Sequence, residues 1–283
     1  MEEAKNPLLT VLNFSGGTQS SALLWMVLLG KIDRPDNFIV LNADPGMENS
    51  KTYEYVAMMF KKCREAEIEC RTVDGPNLYE DLINLPTTDK TRIDNPPYWT
   101  KSKDGNRGRL MQCCTKFYKI APMDREIREI LEERFGISRN SSRIGEGIVE
   151  KWIGFARDEI MRIKTPPQKY VHFRYPLIEM KLKTTDVLRF FEENDLPIPP
   201  RSVCNACFAN NIEYLQEMHD DRPEDWKQAV AVDNAVRDWR QIGVNDEVYV
   251  SKSLLPLEEL AARNFGADEG ENDEWCQTGY CFT

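Results

Sequence analysis

Apolar and polar positions divide the chain into short strands and helix-length segments. Leu8 to Phe14 is a brief apolar run containing β-branched residues, broken by Ser15-Gly16-Gly17, and an apolar segment from Ser20 to Leu29 follows. That pattern predicts strand, glycine turn and helix. Asn37 to Leu41 predicts a second strand, Ser50 to Ala66 a second helix with Tyr53, Val56, Met59 and Phe60, and Ile68 to Val73 a third strand. Short apolar strands joined by helix-length connections predict a parallel sheet with right-handed crossovers.

Pro86 to Arg109 is polar and turn-rich, with Asn95-Pro96-Pro97 and Asp104-Gly105-Asn106. So long a connection inside a compact domain points to a functional or mobile segment. Beyond it the pattern predicts a helix over 122–135, a strand over 151–155, a basic loop, and a helix over 184–194 capped by Thr184 or Thr185. Helices follow over 211–219 and 223–240, with Pro223 suited to a first-turn position. The expected organisation is an α/β domain over residues 1–200 and a helical region over 201–283, without internal repeats.

Composition narrows the class. The chain has 283 residues, 41% hydrophobic and 30% charged, with 15 Gly and 16 Pro scattered along it. This excludes low-complexity and collagen-like chains and suits one large domain or a domain with an appended lobe. The longest apolar run, Ala22 to Leu29, falls far short of the roughly 20 residues that span a bilayer, and Met1-Glu2-Glu3 does not open a signal peptide. A cytoplasmic protein without membrane association is expected.

The net charge of −10 argues against indiscriminate nucleic-acid binding, although a specific nucleic-acid acceptor remains open. Charge is unevenly spread. Residues 107–183 carry 17 basic against 10 acidic side chains, and residues 184–283 carry 8 against 21. An anionic ligand is therefore expected near the middle third. Eight cysteines and two histidines point to thiolate metal or redox chemistry.

Two constellations carry chemistry. In the first, Ser15, Gly16, Gly17, Thr18, Gln19 and Ser20 stand where a strand gives way to a helix. Glycines admit a close ligand, and the free amides of a first helical turn favour an anion such as phosphate. Neither G-x-x-x-x-G-K-[ST] nor G-x-G-x-x-G is present, and an ordinary turn capped by Ser or Thr would read the same locally. In the second, Cys113-Cys114 and Cys204-Asn-Ala-Cys207 form two thiol pairs. Four thiolates suit an iron–sulfur cluster or zinc.

The Ser15–Ser20 loop resembles the S-G-G-x-x-S loop of the ATP pyrophosphatase (PP-loop) superfamily, whose fold is adenine nucleotide alpha hydrolase-like. Gln19 in place of an acidic residue, and Leu41 to Glu48 with Thr52-Tyr53, are similar to the branch containing phosphoadenosine phosphosulfate (PAPS) reductases. Cys113 to Pro122 followed by C-x-x-C is similar to the pattern with which adenosine phosphosulfate reductases hold a [4Fe-4S] cluster, and Trp152 to Glu159 with Arg162 looks like their strand and arginine loop. Reductase-like members with a single Cys-Thr before Tyr-Lys-Ile are closer still; in that pattern Cys114 is a ligand, Cys113 is optional, and Cys276 and Cys281 are rivals for the fourth place.

The resemblance implies an α/β, doubly wound, parallel five-stranded sheet with a helical C-terminal part. It implies an adenine nucleotide, either ATP with Mg²⁺ or a sulfonucleotide, held by Ser15–Ser20, Asp44, Arg157 and Arg162, with Lys119 also in the site. Cys113, Cys114, Cys204 and Cys207 would hold the cluster, with zinc as the alternative. The reaction would be adenylation or sulfur transfer from a sulfur donor, or sulfonucleotide reduction through Cys276 or Cys281 with a thiol reductant. A third reading is a silent nucleotide-binding accessory protein.

Overall fold

The computed structural model describes residues 7–85, 94–138 and 145–266. Cys276 and Cys281 lie outside the described residues. Strands β1 (Leu9–Asn13), β2 (Phe38–Ala43) and β3 (Glu69–Val73) alternate with helices α1 (Thr18–Leu28) and α2 (Ser50–Glu65). Helix α3 (Leu78–Asn84) precedes a hairpin of β4 (Trp99–Lys101) and β5 (Arg107–Arg109). Then come α4 (Ala121–Phe135), β6 (Val149–Trp152), β7 (Val171–Arg174), a short α5 (Pro176–Glu179) and α6 (Thr184–Glu193). The chain closes with α7 (Ile212–Asp221), α8 (Pro223–Val236), β8 (Glu247–Tyr249) and α9 (Leu257–Ala262).

The main sheet is parallel and five-stranded, in the order β3-β2-β1-β6-β7. This is the α/β, doubly wound class expected, with a largely helical C-terminal part. Side chains alternate across its two faces. Leu12, Phe38, Val40 and Trp152 pack with α1, α2 and α6, whereas Leu9, Val11, Ile39, Leu41 and Val149 pack with Met123, Ile127, Ile130 and Leu131 of α4. Both faces being covered explains why these strands read as continuous apolar runs.

Helix α1 is buried along Ser20–Val27, so it has no polar stripe. Helix α2 buries one face through Tyr55, Val56, Met59 and Cys63. Helix α6 begins at Thr184 as expected, but its cap is Lys183, whose amide donates to the Asp186 carboxylate at 2.9 Å, in place of Thr184 or Thr185. Pro223 opens α8. No described helix is long and apolar enough to cross a membrane.

The chain divides into two compact units. Unit 1 comprises 1–43, 51–74 and 122–202; unit 2 comprises 44–50, 75–121 and 203–283. One crossing between them, at 202/203, lies beside the expected boundary near 200; the others fall within the first 122 residues. The core of unit 2 gathers Met47, Leu78, Leu82, Tyr98, Leu215, Val232, Trp239, Val248 and Leu257. Its antiparallel sheet runs β5-β4-β8.

Cys63 is buried within unit 1. Burial, reinforced by Cys70, pushes its thiol up to about 12 from an ordinary 9.0. Alkylation requires the thiolate, so at pH 8 Cys63 should react about a thousandfold more slowly than an ordinary thiol. Mass spectrometry of native protein treated with iodoacetamide should find it among the last cysteines labelled; labelling as fast as in urea would contradict its burial.

Candidate functional site

The loop after β1 is shaped by its own hydroxyls. The Ser15 amide donates to Ser20 Oγ at 3.3 Å, the Gly17 amide to Ser15 Oγ at 3.3 Å, and Ser20 Oγ donates to the Gly17 carbonyl at 3.2 Å. Gly16 has φ +76°, and a Cβ there would stand 2.9 Å from Val56 Cγ2, so this turn requires glycine. Gly17 is the N-cap of α1 and caps it with no side chain. The first turn of α1 also lacks acidic residues. Its uncapped amides and positive dipole end suit an anion.

The loop lies at the carboxyl edge of the sheet, between β1 and β6, where the strand order reverses. This switch point is where doubly wound sheets bind ligands. Three residues that sequence reasoning left out complete it. Asn42 Nδ2 donates to the Phe14 carbonyl at 2.8 Å and fixes the loop's entry. Gly154, after β6, lies so close to α1 that a Cβ would stand 2.7 Å from Ser20 N. Ser202 packs beside Gly17. Gly154 sits within a motif already quoted, but nothing in its neighbours signals a distant helix.

The basic residues of unit 1 differ in what they touch. Arg157 is exposed, and its amide donates to the Leu182 carbonyl at 2.7 Å. Arg162 is bonded to the buried carboxylate of Glu159 and lies 4.3 Å from the Phe155 ring centroid. Glu159 also accepts the Ala156 amide at 3.1 Å. Arg162 thus braces the arginine loop from within, whereas Arg157 is exposed to water.

In unit 2, Asp44 follows the end of β2 and accepts the Gly46 amide at 2.8 Å, forming a tight turn. The turn leads to Glu48, which pairs with Cys204 in an antiparallel bridge. On either side of that bridge, the Asn49 amide donates to the Val203 carbonyl at 3.2 Å and the Asn205 amide to the Met47 carbonyl at 2.8 Å. Segments more than 150 residues apart are thereby stitched together.

The C-x-x-C turn is closed by the Cys207 amide donating to the Cys204 carbonyl at 3.1 Å, and Asn210 Nδ2 donates to the same carbonyl at 3.2 Å. The other pair is held from Asn95, whose carbonyl accepts both the Cys113 and Cys114 amides, at 3.1 and 3.2 Å. A wide helical turn over Lys116–Ile120 then leads into α4. Such turns often mark functional sites.

Cys114 and Cys204 pack against the core that contains the buried Tyr98, and Cys207 shares the turn of Cys204. Burial raises the Tyr98 pKa well above 10, and these three thiols add to the shift. Cys204 Sγ is 3.9 Å from Glu48 Oε1, which accepts a 2.5 Å bond from Lys119 Nζ. The Glu48–Lys119 pair is nearly buried, and Lys119 therefore belongs with the thiols. The donor set, soft thiols gathered on an apolar wall, fits an iron–sulfur cluster or zinc. Among the described residues no three His, Cys, Asp or Glu side chains stand together in a geometry that could hold a metal ion.

Breaking a buried ion pair by removing one partner costs about 3–5 kcal/mol, whereas an apolar replacement of both costs far less. Lys119→Met and Glu48→Leu are each expected to lower stability by that amount, and the double variant by clearly less than their sum. Urea unfolding of the four proteins checks this; additive losses would show that the pair is not coupled.

No protein-family model matches the chain, and no curated protein matches it. Among solved structures, the chain is similar to the U34-tRNA thiolase NcsA from Methanococcus maripaludis with its [4Fe-4S] cluster, at 15% identity over 95% of this chain and 85% of that one, with a TM-score of 0.40. A likeness at that score carries no functional argument, and the fold assignment stands on the strand order.

Proposed function

We propose that this protein is an adenine-nucleotide-dependent enzyme of the PP-loop class that adenylates an acceptor and replaces the activated oxygen with sulfur. The observation that carries the reading is that both thiol pairs belong to one unit, with Cys114 and Cys204 packed against the same core, in a chain whose parallel sheet also presents an uncapped helix start after Ser15-Gly16-Gly17. In this reading the amides and hydroxyls of Ser15–Ser20 receive the nucleotide phosphates, and Arg157 offers a bidentate guanidinium to their oxygens. Asp44 is a candidate for the nucleotide or its Mg²⁺.

The chemistry balances as follows. An acceptor oxygen attacks the α-phosphorus of ATP, and pyrophosphate leaves with the displaced electron pair. Sulfide then adds at the activated carbon, and AMP departs with the former acceptor oxygen; where a persulfide is the nucleophile, a second thiol breaks the resulting S–S bond and leaves as a disulfide with the donor thiol. Cys114, Cys204 and Cys207 would hold a [4Fe-4S] cluster, which when bound by these three alone supplies a Lewis-acidic iron able to carry sulfur; with Cys113 as fourth ligand every iron would be thiolate-bound and the cluster closed. Lys119 neutralises Glu48, the carboxylate beside Cys204, and so offsets the repulsion that carboxylate would exert on anionic sulfur.

The test is anaerobic purification with iron and acid-labile sulfide analysis, followed by incubation with Mg²⁺ and ATP or with a sulfonucleotide. Iron with labile sulfide, and pyrophosphate release from ATP, are expected. Sulfite release from the sulfonucleotide without pyrophosphate from ATP would replace this reading with reduction. Binding of neither nucleotide would overturn it in favour of neither enzyme.

A further inference from the structure

Of the polar, turn-rich segment between β3 and β6, the described residues from 94 onward include the β4–β5 hairpin of unit 2. Its register places Trp99 opposite Arg109, and Lys101 opposite Arg107. Side chains alternate along strands, and directly opposed residues share a face, so these four occupy one side. The other side is turned inward. Thr100 and Val248 are buried, and a Cβ on Gly108 would lie 2.6 Å from Thr100 Oγ1.

The outer side is both cationic and aromatic. The exposed guanidinium groups of Arg107 and Arg109 lie 5.7 and 5.9 Å from the Trp99 ring centroid, and Arg109 also lies 5.6 Å from that of Phe208. The ring is fixed in place, since Trp99 Nε1 donates to the Phe208 carbonyl at 3.1 Å. Lys101 and Lys103 are exposed on the same hairpin. Asp104 stands in its turn, and Glu247 faces Lys101 from β8 while accepting the Tyr249 hydroxyl at 2.7 Å. Positive charge prevails on the hairpin.

We propose that this face of the β5-β4-β8 sheet binds a single-stranded segment of nucleic acid. Exposed cations two residues apart along an extended strand suit successive phosphates, and guanidinium planes over an indole offer stacking surfaces to unpaired bases. An acidic peptide would satisfy the charges but not the stacked planes. In a chain of net charge −10, a local cationic face selects one polyanion site instead of coating the molecule. Phe208 follows Cys207 directly, so a strand on this face ends beside the thiols of the same unit. The inference deepens the proposed function by naming the acceptor class, and it rests on that reading for the fate of the strand but not for its binding.

The experiment uses the full chain, purified anaerobically and without nucleotide, and fluorescein-labelled RNA and DNA oligonucleotides of mixed sequence read by anisotropy over a salt series. Binding of either is expected, and the arm that binds identifies the source. The R107E/R109E double variant should weaken binding at least about tenfold and flatten the log–log salt slope by about 1.4, the value for two phosphate contacts on a single strand. Trp99→Leu should weaken binding about tenfold with the slope unchanged. Thermal melts check that both variants fold, and K101E/K103E, altered only at exposed side chains, should also weaken binding. Absence of binding to both oligonucleotides, indifference to R107E/R109E, or equal competition by polyglutamate would overturn the inference. Pyrophosphate release by a protein that binds neither oligonucleotide would overturn it while leaving the proposed function intact. Binding without pyrophosphate release would do the reverse.

Discussion

Replacing Cys204 with Ala is expected to remove iron from the anaerobically purified protein, to less than about a tenth of the wild-type content, and to abolish turnover with it. The change should do this without unfolding unit 2. What positions Cys204 is mostly backbone: its bridge to Glu48, and its carbonyl, which receives the Cys207 amide and Asn210 Nδ2. Alanine retains all of these. Loss of a half-buried thiol should lower the stability of the metal-free protein by only about 1 kcal/mol. Cys63→Ala makes the control, because that thiol lies in the core of unit 1 and should leave iron content unchanged. Wild-type iron in a Cys204→Ala/Cys207→Ala double variant would sink the assignment. So would equal iron loss from Cys63→Ala.

Gly154→Ala is expected to have the largest effect on nucleotide binding of any single methyl group. The added carbon would stand 2.7 Å from Ser20 N, 2.9 Å from the Gln19 carbonyl carbon and 3.0 Å from Ser20 Cα. All three atoms are backbone and none can swing aside, so the first turn of α1 must shift. Overpacking of this kind costs about 1–3 kcal/mol, or roughly 3–12 °C in Tm for a unit of this size. The displaced amides are those assigned to phosphate, so the variant should also lose the stabilisation that Mg²⁺ and ATP give the wild type, about 2.7 kcal/mol at a hundredfold excess over Kd. A thermal-shift titration reads both effects. An undiminished ATP-induced shift in Gly154→Ala would show that the phosphates lie elsewhere.

The two sites were legible to different degrees, for a physical reason. The β1-loop-α1 unit could be read because the pattern that signals it lies within about twenty residues: an apolar run, a glycine break, and an unbroken apolar helix. The C-x-x-C pair could be read because its spacing is itself local. Glu48 could not, because its importance depends on a bridge to Cys204 across more than 150 residues. Gly154 was hidden likewise, since its close neighbour is Ser20. Strands β4, β5 and β8 each have three residues, too few for a period to emerge. Strand β7 escaped because His172 and Arg174 interrupt its apolar run. Arg162 has the composition of an anion-binding residue, yet Glu159, three positions earlier, takes up its charge.

The interleaving of the two units has a consequence for how the protein is made. Unit 1 has all its segments by Ser202, whereas unit 2 must wait for the chain beyond Val203. Met47, Leu78 and Tyr98 find partners such as Leu215, Val232, Trp239 and Leu257 only in that last stretch. At about 5–20 residues per second, an apolar surface made early would stay uncovered on the ribosome for roughly five to thirty seconds before its lid of helices emerges. Cys113 and Cys114 pass that interval separated from Cys204 and Cys207. Both thiol pairs exist only once residue 207 has been made, so a nascent chain stalled before residue 204 would offer only Cys113 and Cys114 of the four thiols proposed as ligands.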